Sequence, residues 1–371
     1  MLYALCPMNF QFVISLLEWI WFLCLLVMTG YHMVIFKRKS GSLKRNKIDW
    51  PGVSIIIAHK NGSTQFSQNL DAILSQDYPV FEVIIIDDHS LPAEKMQLEK
   101  RIESLERLTL LSTDEPGKKN ALTKGVNSAK HDVILCTDAD CKPVSDQWIR
   151  KMVETGRIGE VVLGYSPYQK KPGWLNLLIR FETVMTAIQY MSWTLAGKPY
   201  MGVGRNMLYP RTLFLQKNPY TSNPGVPYGD DDLLVQALKS NARFKVCDDL
   251  QGHVISEPAL TWKQWLNQKH RHLSAGHYYK TGSWLQPGIY GASLVFHWFI
   301  TLFLMTGSVW WKWLPVLLIG MMIRWITFAA WSRRLGDRDT VIWYPLLEVQ
   351  YALYLGLMGI ITAVAKKKSW N

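Results

Sequence analysis

The chain has 371 residues and a formal net charge of +12, from 41 Lys and Arg against 29 Asp and Glu, with 17 Trp. A basic, Trp-rich composition fits either a nucleic-acid binder or a membrane protein with interfacial aromatic anchors, and the long apolar runs exclude a soluble nucleic-acid binder. The five Cys (6, 24, 136, 141 and 247) share no repeating spacing, and no second Cys/His cluster accompanies Cys136 and Cys141, so reduced thiols are expected rather than zinc or disulfides.

The first element in the chain is the run FQFVISLLEWIWFLCLLVMTGYHMVIF, residues 10–36, whose single acid is Glu18. It is long enough to cross a bilayer and lacks a basic leader and a small-residue cleavage site, which predicts a transmembrane anchor rather than a removed signal peptide. A basic linker follows at 37–50, dense in KRKSGSLKRNK. The positive-inside rule then places the downstream side in the cytoplasm.

Residues 51–260 read as an α/β domain. VSIIIAHKN (53–61) and FEVIIIDDHS (81–90) are short β-branched runs that stop at polar turns, and between them Phe66, Leu70, Ile73 and Leu74 recur at helical spacing. A charged helix over about 93–107, the strand LTLLS, a helix over 118–129 and the strand DVILC complete the alternation. Strands buried on both faces that alternate with helices predict a Rossmann-like, mostly parallel sheet. WLNLLIRFETVMTAIQYMSWTLAG (174–197) is apolar but carries Arg180 and Glu182, which predicts a packed or interfacial helix rather than a span. MGVGRNMLYP (201–210) has Gly-x-Gly without a third Gly and reads as a turn or a pocket-lining loop, not a dinucleotide site.

In the amphipathic segment 261–283, Trp262, Trp265, Leu266 and Leu273 form an apolar stripe, while Gln268, Arg271 and His272 share another face. That pattern predicts an interfacial helix with its polar face toward a site, or an ordinary packed helix with a basic solvent face. The region 288–365 holds three apolar stretches with Trp at their ends, giving two or three transmembrane spans. Arg324 and Glu348 within them should face protein or a cavity. Three crossings would put the terminal KKKSWN outside against the charge rule, so the stretch 343–365 is the first expected to re-enter or lie flat.

Three acidic clusters fall where strand ends are expected: Asp87 and Asp88, Asp138 and Asp140, and Asp230, Asp231 and Asp232. In a doubly wound sheet, ligands bind beyond the carboxyl ends of the strands. Asp138 and Asp140 are alternate residues of an extended segment and point the same way. A hard cation on Asp140, with Asp138, would neutralise a departing diphosphate. A carboxylate from 230–232 would take a proton from an attacking hydroxyl, and Asp88 would hydrogen-bond a nucleotide base or ribose.

The ordered set resembles a membrane-integrated family-2 glycosyltransferase of the GT-A fold. The stretches that carry the likeness are VSIIIAHKN through IIIDDHS, GKKNALTKGVNSAKHDVILCTDADC, YGDDDLLVQAL and QKHRHL, over residues 50–280. The resemblance implies that Ala58, His59 and Asn61 line the nucleobase side, with Asp88 beside them. It implies that Lys118 approaches the diphosphate, that Asp138 contacts the donor, and that Asp140 holds Mg²⁺ or Mn²⁺. Anchored on Leu233, the acidic stretch gives Asp230 as the base and Asp232 as the second acid. Gly229 stands where the family has Glu, so Asp231 remains an alternative base. Gln268, Arg271 and His272 fall on the acceptor and diphosphate side, and His272 replaces the Trp of the family's QxxRW. Gly62 stands where an acid often follows Asn61.

The resemblance implies an inverting, multi-pass enzyme of the cell membrane with its catalytic domain in the cytoplasm. Its partners would be a nucleotide sugar (a UDP-sugar) and a membrane lipid or lipid-linked acceptor, without nucleic acid; the sequence identifies no protein partner. A processive polysaccharide synthase of the same family is the alternative, and an inactive nucleotide-sugar-binding protein is a third reading.

Overall fold

A computed structural model describes residues 7–38, 50–103, 105–221, 229–275, 282–283, 285–307 and 310–364. In chain order the elements are α1 (Pro7–Gly30), β1 (Val53–His59), α2 (Ser63–Leu74), β2 (Phe81–Asp87), α3 (Pro92–Ile102), β3 (Leu108–Ser112) and α4 (Lys118–Ser128). There follow β4 (Val133–Asp138), β5 (Cys141–Pro143), α5 (Trp148–Thr155), β6 (Val161–Gly164), α6 (Trp174–Leu195), β7 (Met207–Pro210) and α7 (Arg211–Lys217). The last are α8 (Asp230–Leu238), β8 (Phe244–Cys247), β9 (Val254–Ser256), α9 (Trp262–Ala275), α10 (Leu285–Leu304), α11 (Leu314–Arg334) and α12 (Tyr344–Val364). The helix read over 93–107 stops at Ile102, and the strand read as DVILC runs on to Asp138, so the first Asp of the acidic pair is the strand's last residue.

Seven strands form one sheet in the order β3-β2-β1-β4-β7-β6-β8, and β5 pairs with β9 in a second, two-stranded sheet. β1 to β4 run parallel, β7 is antiparallel to β4 and β6, and β8 is parallel to β6. This is the mostly parallel, doubly wound arrangement that alternating apolar strands and helices demand. Two apolar layers sandwich the sheet. Phe66, Leu70, Ile73, Trp148 and Met152 cover one face. Leu122, Val126, Phe181, Val184, Leu234 and Leu238 cover the other, and this layer is continuous with Met28, Tyr290, Phe328 and Tyr344 of the apolar helices. α4 lies close on its strands because Gly125 has no side chain. A Cβ there would come 2.5 Å from Ile86 and 2.7 Å from Ile56.

α6 is a packed helix, with Arg180 and Glu182 both buried. Arg180 donates to Asp337 Oδ1 and to Asp339 Oδ2, each at 2.8 Å, which ties the sheet domain to the turn between α11 and α12. Glu182 pairs with Lys269 of α9. Among the described residues, four helices are long and apolar enough to cross a membrane: Gln11–Ile35, Leu285–Leu304, Leu314–Arg334 and Arg338–Ile361. The stretch expected to re-enter or lie flat is thus a continuous helix of spanning length. Arg324 and Glu348 face each other, fully buried, in a bidentate pair at 2.7 and 2.9 Å.

Candidate active site

The sheet register brings the acidic clusters to one edge. His59 lies opposite Asp87 and Ala58 opposite Asp138, so β1, β2 and β4 end side by side. Just past β4 the chain turns through Ala139 and Asp140 into β5, whose Cys141 pairs with Ser256 of β9. The first residues of two helices point into the same space: Lys118 opens α4 and Asp230 opens α8. Carboxylates in a first helical turn are favoured by the exposed N–H groups and the helix dipole.

Lys118 Nζ bridges Asp138 Oδ1 at 2.8 Å and Asp230 Oδ2 at 3.2 Å. Desolvation in the cleft alone would lower its pKa, but the charges of Asp138 and Asp230 outweigh it and hold the ammonium well above the ordinary lysine value. A small cleft opens here, lined by Lys118, Asp138, Asp230 and Asp231 at its polar side. Cys136, Met207, Tyr209, Tyr220, Leu122 and Leu234 make its apolar side. Asp231 accepts from the N–H of Gly204 at 3.0 Å and of Asp232 at 2.9 Å. Burial and the neighbouring Asp230 charge push its pKa up to about 6. Asp232 is buried, and its charge acts on the Tyr200 phenol.

Carboxylate atoms of Asp138 and Asp140 and the Cys141 thiol lie within 4.8 Å of one another. The thiol is pushed well up by burial and by both carboxylates, and it donates to Asp140 Oδ1 at 3.2 Å. Cys141 is therefore a hydrogen-bond donor here, and the group presents two hard oxygen donors rather than a thiolate. Desolvation and the Asp138 charge raise the Asp140 pKa, opposed by Arg205. Two crowded carboxylates at a cleft mouth fit Mg²⁺ or Mn²⁺ better than zinc.

The residues assigned to the nucleobase side are arranged less openly. Asp88 is buried, accepts from the Gly117 N–H at 2.6 Å and so holds the loop that carries Lys118. Asn61 has a left-handed backbone, φ 60°, and its Oδ1 accepts from Leu91 N at 2.9 Å. Its side chain thus fastens the β2–α3 turn. His59 is buried against Phe66, and burial lowers its pKa against the pull of Asp87. Ala58 is half-buried beside Asp138.

On α9, Trp265 is buried with its ring centroid 4.6 Å from that of Tyr354, and Gln268 donates to the Tyr168 hydroxyl at 3.2 Å. Arg271 stands exposed on the same helix, and the side chain of His272 lies outside the described residues. Gln268 leads to a residue that the sequence did not single out. The Arg205 guanidinium lies 4.5 Å over the Tyr168 ring. Its position is fixed by Asn206, fully buried, whose side chain accepts from Trp148 Nε1 at 2.9 Å and donates to the carbonyls of Tyr165 at 2.9 Å and Gly252 at 2.8 Å. The only sequence signal for it was an arginine in a glycine-rich turn just before a strand.

Residues 54–214 match the family model described as Glycosyl transferase family 2. A poly-beta-1,6-N-acetyl-D-glucosamine synthase of Staphylococcus epidermidis is 34% identical over 91 residues, which is 24% of this chain and 22% of that protein. The protein of the same name from Staphylococcus aureus strain COL is 30% identical over 89 residues, again 24% of this chain and 22% of the relative. The matched stretch thus spans about a fifth of the length of these relatives. Among solved structures, the mannosyltransferase PcManGT from Pyrobaculum calidifontis, in complex with GDP-Man and Mn²⁺, aligns with a TM-score of 0.61 at 16% identity. That alignment covers 96% of this chain and 99% of the other, and it shows a shared fold.

Proposed function

Because the chain carries a glycosyltransferase family 2 domain, we propose that it is an inverting glycosyltransferase of the membrane. It moves a sugar from a nucleotide-diphosphate donor, a uridine one, to a hydroxyl of a lipid or lipid-linked acceptor. The observation that carries this reading is the convergence of Lys118, Asp138 and Asp230 at 2.8 and 3.2 Å on the rim of one pocket. A cation for a diphosphate, a carboxylate pair for a metal and a carboxylate for an acceptor proton are the three parts such a transfer needs.

In the proposed step the acceptor oxygen forms a bond to the anomeric carbon as the bond from that carbon to the diphosphate oxygen breaks. Asp230 takes the hydroxyl proton, and the bonding electrons leave with the diphosphate, toward Lys118. Asp231 positions the Gly204 loop against α8, because both its oxygens are engaged by backbone N–H groups. Asp138 and Asp140 are the residues that would hold Mg²⁺ or Mn²⁺, and the presence of Mn²⁺ with PcManGT supports that choice. When bound, such an ion supplies charge neutralisation for the leaving diphosphate. Four apolar helices and the basic 37–47 run support a multi-pass protein with the catalytic domain on the cytoplasmic side.

A polymerising synthase is the second reading, favoured by the names of the staphylococcal relatives. The deciding experiment gives the purified full chain, in lipid nanodiscs with Mn²⁺, a panel of labelled UDP- and GDP-sugars and a lipid extract. A single labelled lipid product supports one-step transfer, and a ladder of sizes supports polymerisation. Absence of transfer from every donor would count against both.

A further inference from the structure

Arg205 has more hydrogen-bonding capacity than the protein uses. A guanidinium carries five N–H donors in a rigid fork. Among the described residues Nη2 reaches only the Ser166 carbonyl, at 3.4 Å, which is long for a hydrogen bond. Nη1 is shielded from solvent and has no partner among the described residues. Arg205 makes no ion pair among the described residues, although its charge is felt by both Asp138 and Asp140. One face is occupied by the Tyr168 ring, and the backbone is pinned by the Asn206 bonds. The side chain is thus held in place and charged, and it is left underpaired.

Its surroundings say what would pair with it. Gly204, the preceding residue, donates to Asp231, and a Cβ on Gly204 would stand 3.4 Å from Asp230 Oδ2. Tyr168, beneath the guanidinium, forms an isolated bridge to Ser256, the partner of Cys141 in the turn after Asp140. The Tyr168 hydroxyl receives Gln268 of α9. Arg205 therefore lies where the acceptor-proton carboxylate, the acidic pair and the α9 helix meet. Resting on the glycosyltransfer reading above, we infer that Arg205 binds a phosphate group of the substrate through its underpaired guanidinium. A planar fork matches two phosphate oxygens, and a tetrahedral anion supplies the acceptors that the chain withholds. The phosphate belongs either to the leaving diphosphate of the donor or to a phosphate-linked acceptor delivered along α9.

The test titrates the full chain in nanodiscs with Mn²⁺ and inorganic pyrophosphate, and separately with farnesyl monophosphate, with uridine as a phosphate-free control. For Arg205→Gln, pyrophosphate or farnesyl phosphate is expected to bind about tenfold to a hundredfold more weakly, the range for losing a charged hydrogen bond, with uridine unchanged. Loss confined to pyrophosphate assigns the donor phosphate, and loss confined to farnesyl phosphate assigns the acceptor. Arg205→Lys, which keeps the stem and the charge, should bind the affected probe with intermediate affinity and stands in if the Gln variant does not fold. Equal binding of both probes by wild type and either folded variant overturns the inference and leaves the glycosyltransfer reading intact. Failure of the wild type to bind any nucleotide or phosphate probe removes both.

Discussion

Lys118 Nζ stands 3.2 Å from Asp230 Oδ2, so in the proposed reaction the residue assigned to the donor and the residue assigned to the acceptor proton share one ion pair. Each is the first residue of its helix, and each is brought there by a different crossover of the sheet. In that reaction, donor binding draws the ammonium toward the diphosphate and thereby releases Asp230. Lys118→Met keeps most of the stem and removes the charge. We expect the donor dissociation constant to rise by about tenfold or more, with unchanged circular dichroism, as for a lost charge-assisted contact. The raised Lys118 pKa means that its pairing is present below the unfolded lysine value and is lost only as pH rises through the still higher folded value. An alkaline fall in donor affinity near pH 8 would contradict that assignment.

Asp230→Asn removes the proposed proton acceptor while keeping the shape of the pocket. Transfer should fall by about 10² to 10⁴, the usual worth of general-base catalysis, and donor affinity should stay within a factor of about two. Initial rates with labelled donor, measured beside donor binding by calorimetry, separate the two quantities. Wild-type rates in this variant would shift the base role to Asp231.

Chelation tests the acidic pair. EDTA should abolish transfer, and added Mn²⁺ or Mg²⁺ should restore it. Asp140→Asn should raise the Mn²⁺ concentration for half-maximal rate by about tenfold or more, the cost of one charged hard ligand. Full transfer in EDTA would rule out a metal on Asp138 and Asp140.

Much of this site was legible because β-branched runs ending in polar turns locate strand ends, and the parallel sheet aligns those ends. Asp138 and the acidic cluster 230–232 could be placed on that ground, whereas Lys118 and the choice of Asp230 within its cluster came from the resemblance to the glycosyltransferase motifs. Asn61 and His59 were less legible. Whether a polar residue at a strand end faces a ligand or fastens the fold depends on partners that spacing does not reveal, such as Leu91 N, 30 residues beyond Asn61, and the Phe66 ring packed on His59. Arg205 was not legible because its significance comes from Tyr168, Asn206 and Gly204 meeting around it, and no spacing encodes that. The stretch 343–365 was expected to re-enter or lie flat because three crossings put the terminal KKKSWN outside against the charge rule; the structure makes it a continuous helix whose Glu348 is paired with Arg324 of α11.

The Arg324–Glu348 pair, with the Tyr344 hydroxyl donating to Glu348 at 2.6 Å, is fully enclosed between α11 and α12. Removing one member leaves a buried charge without its counterion. Glu348→Gln should therefore destabilise the protein by about 3–5 kcal/mol. The triple change Arg324→Met, Glu348→Leu and Tyr344→Phe leaves no orphaned polar group and should cost far less. Unfolding in mixed micelles of increasing SDS content measures both. Equal losses for the single and triple variants would mean that packing, not charge, sets the cost.

Asp231 gives a pH signature of its own. Burial and the adjacent Asp230 charge raise its pKa to about 6 in the folded protein, against about 3.9 in the unfolded chain. Between these values the folded state holds more protons than the unfolded one, so stability falls as pH rises from about 4 to about 6 and is level above that. The span is on the order of 2–3 kcal/mol. Asp231→Asn cannot titrate and gives up one of the two backbone hydrogen bonds, which costs about 1 kcal/mol at every pH. The difference in apparent melting temperature, wild type minus variant, cancels every titrating group that does not interact with Asp231. It should therefore decrease steadily from pH 4 to pH 6 and then stay constant. A difference that is flat across this range, or that rises with pH, would mean that the Gly204 and Asp232 N–H groups keep Asp231 ionised throughout.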